Sequence, residues 1–241
     1  MCSHCACDLP APAGERLHSA PLAREVVLGE SLLARNDHQA VHNREHFRAA
    51  GVQVVNVISS PGTGKTALLE ALAVRAPSTL RLAALVGDLA TDQDARRLQQ
   101  AGLPAVQITT GQVCHLDAAM VHQALARLEE AGHPLAAVDL LLIENVGNLV
   151  CPASFALGED RRVVLLSVTE GEDKPLKYPA TFHSADLVVI TKVDLAEAVG
   201  FDRALAYRYL QQVAPAARVL ETSARAGTVS YTHLRAHETE A

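Results

Sequence analysis

The 241-residue chain has no tryptophan, and aromatic residues make up only 3% of it. Its core must therefore be aliphatic, built from Ala, Val, Leu and Ile. Basic residues are not in excess. The 21 Lys and Arg stand against 27 Asp and Glu, a net charge of −6, so a nucleic-acid surface held by positive charge is not expected. No apolar run approaches the roughly 20 residues that a membrane helix needs. The first residues lack a basic stretch followed by an apolar one, so no secretion signal is expected. Five cysteines, three of them at Cys2, Cys5 and Cys7, do not make a disulfide framework. They point to a reducing compartment, read as the cytoplasm, and to thiols that bind metal. Length and a hydrophobic content of 49% suit one domain with a substantial core.

Residues 1–20 read as a tail and linker, Cys and His first and then Asp8-Leu9-Pro10-Ala11-Pro12-Ala13-Gly14. Residues 21–228 read as the domain. A helical pattern covers 26–50. From there, aliphatic runs at 52–58, 80–86, 105–109, 138–144, 163–168, 187–191 and 219–222 alternate with helical stretches at 65–75, 92–100, 116–131 and 202–213. Strands that read as solid apolar runs, separated by helices, predict an α/β fold: a mostly parallel, doubly wound sheet with helices on both faces. After Ala224 a closing helix is expected. Instead Val229-Ser230-Tyr231-Thr232-His233-Leu234-Arg235-Ala236-His237-Glu238-Thr239 shows no apolar periodicity. Residues 229–241 resemble a translated sequencing-library adapter, and the natural sequence is expected to end at about Thr228. His233 and His237 therefore take no part in the functional reading.

The run at 54–58 leads into Ser59-Ser60-Pro61-Gly62-Thr63-Gly64-Lys65-Thr66 and then a helix. This is a Walker A loop with Ser59 at the usual first glycine. Gly62 and Gly64 let the backbone turn its N–H groups inward around phosphate oxygens, and the helix start adds its positive end. Ser60, Pro61 and Thr63 complete the cradle. Lys65 supplies a point charge for the β- and γ-phosphates, and the Thr66 hydroxyl can ligate Mg²⁺. Asp88 and Glu144 each end a strand run, where open α/β sheets bind ligands, and can complete the catalytic metal site. For Glu144 a functional role is favoured, because an acid ending so apolar a run is costly unless paired. Asp92 reads more simply as a helix cap.

Thr191-Lys192-Val193-Asp194 resembles the guanine-specificity motif NKxD, with Thr191 in place of Asn. The Asp194 carboxylate can accept the two hydrogens of guanine N1 and N2, which adenine lacks, and Lys192 can cover the base. Ser223 and Ala224, after Thr222, resemble the backbone loop that reads guanine O6. Cys2, Cys5 and Cys7 are close enough to wrap one soft metal ion. Square-planar Ni²⁺ and tetrahedral Zn²⁺ both fit that donor set. Cys114, His115 and Cys151 follow strand runs and read together as a second metal site, one that two subunits could share. His38, His42 and His46 recur at i, i+4 and i+8 on one helix face; of a weak extra metal site and a solvated polar surface the second reading is favoured, and no role is assigned.

Taken together, these motifs resemble the hydrogenase nickel-incorporation GTPases, the HypB family of metallochaperones, over roughly 1–228. The resemblance rests on Cys2/Cys5/Cys7, Asn43-Arg44, the loop at 59–66, Gly87-Asp88 with Asp94-Ala95, Cys114-His115-Leu116-Asp117-Ala118, the run from Glu144 to Pro152, Thr169 to Lys174, and Lys192-Val193-Asp194. It implies a P-loop G domain of SIMIBI type that hydrolyses GTP to GDP slowly and dimerises with nucleotide. It implies nickel loading into nickel–iron hydrogenase, with a small zinc-containing nickel chaperone and the hydrogenase large subunit as partners. It departs from the family pattern at Ala6, where Gly is usual, and at Thr191. The rival readings are a urease-accessory nickel GTPase, a nucleotide-binding metal store or sensor without useful turnover, and a small-molecule kinase.

Overall fold

The computed structural model describes the backbone of residues 20–230 and the side chains of residues 32–227. Cys2, Cys5, Cys7 and residues 231–241 lie outside the described residues. The strands are β1 (Gln53–Ile58), β2 (Leu82–Asp88), β3 (Ala105–Thr109), β4 (Leu140–Glu144), β5 (Arg161–Ser167), β6 (Leu187–Thr191), β7 (Arg218–Ser223) and β8 (Thr228–Ser230). They form one sheet in the order β3-β2-β4-β1-β5-β6-β7-β8. The first seven are parallel to their neighbours, and β8 returns antiparallel to β7. The helices are α1 (Ala20–Ala50), α2 (Lys65–Arg75), α3 (Gln93–Gln100), α4 (Ala118–Glu130), α5 (Lys174–Lys177), α6 (Pro179–His183) and α7 (Arg203–Val213).

Each apolar run expected to be a strand is one, and alternation along the strands explains the two covered faces. On β4, Leu141 and Ile143 pack with Phe47 of α1 and Leu125 of α4. Leu142 points the other way, to Leu69 of α2 and Leu98 of α3. A third cluster joins Val164, Val188 and Ile190 to Phe182, Ala206 and Leu210 under α6 and α7. The aliphatic core expected from the scarcity of aromatics is what fills these layers.

Two features differ from the sequence expectation. Residues 174–183 form α5 and α6, each too short to show a helical period and each opened by a proline, Pro175 and Pro179. No helix follows β7 among the described residues. The chain turns instead at Gly227 (φ 69°) into β8, which takes in the first residues of the adapter-like segment.

Parallel order brings the carboxyl ends of β1, β2, β4, β6 and β7 to one edge. Glu144 pairs in register with Val57 on one side and Val86 on the other. Thus the loop after β1 lies beside Glu144, and both lie next to Asp88 at the end of β2.

Candidate functional site

Gly62 (φ 73°) and Gly64 (φ 102°) adopt the left-handed backbone that a tight phosphate loop requires, and Gly64 caps α2. The loop borders a cavity of about 440 Å³, lined by Gly64, Lys65, Thr66, Asp88, Asp94 and Glu144 among others. Lys65 Nζ donates to Ser59 Oγ at 3.1 Å, so Ser59 holds the lysine expected from the sequence to serve the phosphates. The Thr66 hydroxyl donates to Glu144 Oε1 at 2.8 Å. Glu144 Oε2 is buried and has no hydrogen-bond partner among the described residues. Burial pushes the Glu144 carboxyl up to about 7, against the pull of Lys65. Burial likewise pushes the Lys65 ammonium down, with Glu144 the main opposing charge. For Asp88, burial pushes upward. The amides of Ala90 and Thr91 and the Thr91 hydroxyl outweigh it and hold the carboxyl below its usual range.

A second cavity of about 320 Å³ adjoins the loop, bordered by Thr63, Gly64, Thr191, Lys192, Asp194, Ser223 and Ala224 among others. The base-reading residues expected from the sequence therefore share one space. Lys192 (φ 57°) is the one described non-glycine residue with positive φ, and its Nζ donates to Gly62 O at 2.6 Å. The Thr191 hydroxyl donates to Thr63 O at 2.8 Å, so the departure from Asn still ties the base strand to the phosphate loop. Glu170 braces the same loop by accepting from the Thr63 hydroxyl at 3.0 Å. Lys174 donates to Ser60 Oγ at 3.4 Å. Ser60 and Pro61 sit in the loop as expected.

Cys114, His115 and Cys151 come together, with their ligand atoms within 4.8 Å of one another. The Cys114 thiol donates to Cys151 Sγ at 3.1 Å, and the His115 ring stacks on Phe155 with centroids 3.9 Å apart. The hydrogen bond with Cys114, then burial, pushes the Cys151 thiol up. Burial pushes the His115 imidazole down, which favours the neutral ligand form. Two thiols and an imidazole make a soft-to-borderline donor set for Ni²⁺ or Zn²⁺.

The two centres are physically joined. Asn145 borders the phosphate cavity. Its Oδ1 accepts from Leu116 N at 3.1 Å, one residue past His115. The Leu116 side chain lies so close over Gly87 that a Cβ there would meet it at 2.9 Å, and Gly87 precedes Asp88. Asn148 Nδ2 donates to Cys114 O at 3.2 Å. Gly147 faces Pro61 of the phosphate loop, where a Cβ would come within 2.9 Å of the backbone.

Sequence reasoning missed Asn145, Gly147 and Arg97. Arg97 borders the phosphate cavity but is engaged by Glu70 at 2.6 Å and Asp94 at 3.2 Å. Asp92, read as a cap, stands at the N-cap of α3 without a side-chain cap bond and pairs with Arg96 at 2.7 Å. The asparagines stood inside the quoted motifs; only their long-range partners reveal their role.

The model of the family described as CobW/HypB/UreG, nucleotide-binding domain, matches residues 53–221. The hydrogenase maturation factor HypB of Azotobacter vinelandii is 49% identical over 220 residues, 88% of this chain and 69% of that protein. A crystal structure of HypB from Helicobacter pylori in complex with nickel has a TM-score of 0.76 and 43% identity, covering 79% of this chain and 87% of that one. A crystal structure of HypB from Archaeoglobus fulgidus has a TM-score of 0.73 and 42% identity, covering 81% of this chain and 93% of that one.

Proposed function

The chain belongs to the HypB hydrogenase maturation factors of the CobW/HypB/UreG family, and from that membership we propose that it hydrolyses GTP and carries nickel for the maturation of nickel–iron hydrogenase. The observation that carries this reading is that the segment leaving Glu144 borders the phosphate cavity at Asn145, which accepts from Leu116 N beside His115, and three residues later donates from Asn148 to Cys114 O. A passive metal carrier has no need of that connection.

Lys65 and the loop amides hold the phosphates. Asp194 accepts from the guanine edge, Lys192 covers the base, and Ser223 and Ala224 lie where the guanine O6 is read. The donor set suits Mg²⁺, because Thr66, Asp88 and Glu144 offer hard oxygens and Glu144 Oε2 is buried with no described partner. When bound, that ion neutralises charge on the phosphate oxygens. Arg97 is held by Glu70 and Asp94. Among the described residues it is the one arginine that borders the phosphate cavity, so none there is free to stabilise the transferring phosphoryl group, and slow turnover is expected.

Nickel is the cargo. Cys114, His115 and Cys151 leave coordination positions open, which a second copy fills in a nucleotide-dependent homodimer. Zn²⁺ competes for the same thiols, and Cys2, Cys5 and Cys7 form the second holding site. The small zinc-containing chaperone and the hydrogenase large subunit are the partners, in the cytoplasm. None of the helices searched among the described residues is long and apolar enough to cross a membrane.

Phosphate release in a single turnover tests the enzymatic half. The wild type is expected to hydrolyse GTP at about 10⁻² s⁻¹ or slower, and K65A to be at least about 100-fold slower. ATP should not substitute. Equal release by wild type and K65A would leave a nucleotide-binding metal store.

A further inference from the structure

We propose that His38 and His42, on the exposed face of α1, form a separate holding site for a borderline divalent cation such as Ni²⁺, Cu²⁺ or Zn²⁺. The two residues are one helical turn apart, and both are exposed. Their rings meet edge to face with centroids 4.7 Å apart and planes at 70°. That separation is what joint coordination requires. A metal–nitrogen bond of roughly 2.1 Å places the ion about 3.2 Å from each imidazole centroid, so two cis ligands at right angles have centroids about 4.5 Å apart. The pair therefore starts close to chelating distance, and the rings must turn out of edge-to-face contact to aim one nitrogen each at a shared ion.

The backbone beneath it is fixed. The opposite face of α1 buries Ala40, Asn43 and Phe47. Asn43 Nδ2 donates to Ala118 O at 2.8 Å and to Leu157 O at 2.9 Å. Asn36 Nδ2 donates to Ala156 O at 2.9 Å, and its Oδ1 accepts from Ala118 N at 2.9 Å. A rigid helix loses little entropy when both imidazoles take one ion, the advantage of any pre-formed chelate. The Glu45 carboxylate lies 3.9 Å from His42 Nδ1. Water fills the remaining coordination positions, so the site is open and exchanges its ion readily. It uses no thiol and shares no residue with the Cys114–His115–Cys151 cluster, and stands whatever cargo that cluster takes.

The test is calorimetric titration of the full chain with NiCl₂, read beside the thiolate-to-nickel charge-transfer absorbance, which reports the cysteine sites alone. Wild type is expected to bind one equivalent beyond those that build the absorbance. H38Q and H42Q should each weaken that equivalent by about 100-fold, the loss expected on turning a chelate into a single ligand, with the absorbance and the helical circular dichroism unchanged. H46Q should keep it. The proposal is overturned if H42Q titrates like wild type, or if H46Q loses the equivalent while H38Q retains it. Loss of the charge-transfer band alone would overturn the thiol reading and leave this site standing.

Discussion

Glu144 is a buried carboxyl whose proposed role costs the fold stability. Burial raises its carboxyl from the ordinary 4.5 to about 7. Between those values the folded chain holds a proton that the unfolded chain has lost. Stability of the nucleotide-free protein should therefore fall as pH rises across this window, by up to about 3 kcal/mol. E144Q removes the penalty: its urea midpoint should change less between pH 5 and pH 8 and should exceed that of wild type at pH 8, while phosphate release from GTP is lost. Thr191 and Asp194 divide their work differently. Thr191 touches the phosphate loop rather than the base cavity's far wall. T191A should weaken GTP and ATP alike, by about fivefold for one lost hydrogen bond. D194N places a donor where guanine needs an acceptor. It should cut the preference for GTP by about 100-fold or more and turn it toward xanthine nucleotides, as competition binding would read.

At the scale of elements, α1 is the least obvious contributor. Its buried Asn36 and Asn43 bond both to the start of α4, just after His115, and to the segment that follows Cys151. The helix thus holds together the two stretches of chain that carry the proposed metal ligands. N43A leaves the Ala118 and Leu157 carbonyls buried without this donor and should cost about 2–4 kcal/mol of stability, measured by urea unfolding. It should also weaken nickel binding at the cluster, because the two halves of the ligand set lose a common support. Here the sequence was informative about the element but not about its role. The helical period of 26–50 is visible along the chain, and Asn43-Arg44 is a family motif. The partners of Asn43 lie 75 and 114 residues away. The same holds for Gly147, whose reason for being glycine is the backbone of Pro61.

For the whole molecule, the architecture was legible because each strand of a doubly covered parallel sheet must be apolar on both faces, and each turn carrying chemistry sits at a strand end. The phosphate loop, the base motif and the Cys–His–Cys set were legible for the same reason: their donors cluster locally or at adjacent strand ends. The connection between them was not, since Asn145 to Leu116 and Asn148 to Cys114 are contacts between segments distant in sequence. That connection is the proposed route by which nucleotide and cargo become one thermodynamic system. On the proposed reading, contacts that order the Glu144–Cys151 segment around a triphosphate change the cluster's grip on metal, and by linkage metal then changes the grip on nucleotide by the same factor. Nickel affinity at the Cys114–His115–Cys151 cluster, measured in C2S/C5S/C7S protein with GDP and with a non-hydrolysable GTP analogue, tests this most directly. The account predicts affinities that differ by about fivefold or more, with N145A bringing the ratio toward one. Equal affinities in the two nucleotide states would contradict it.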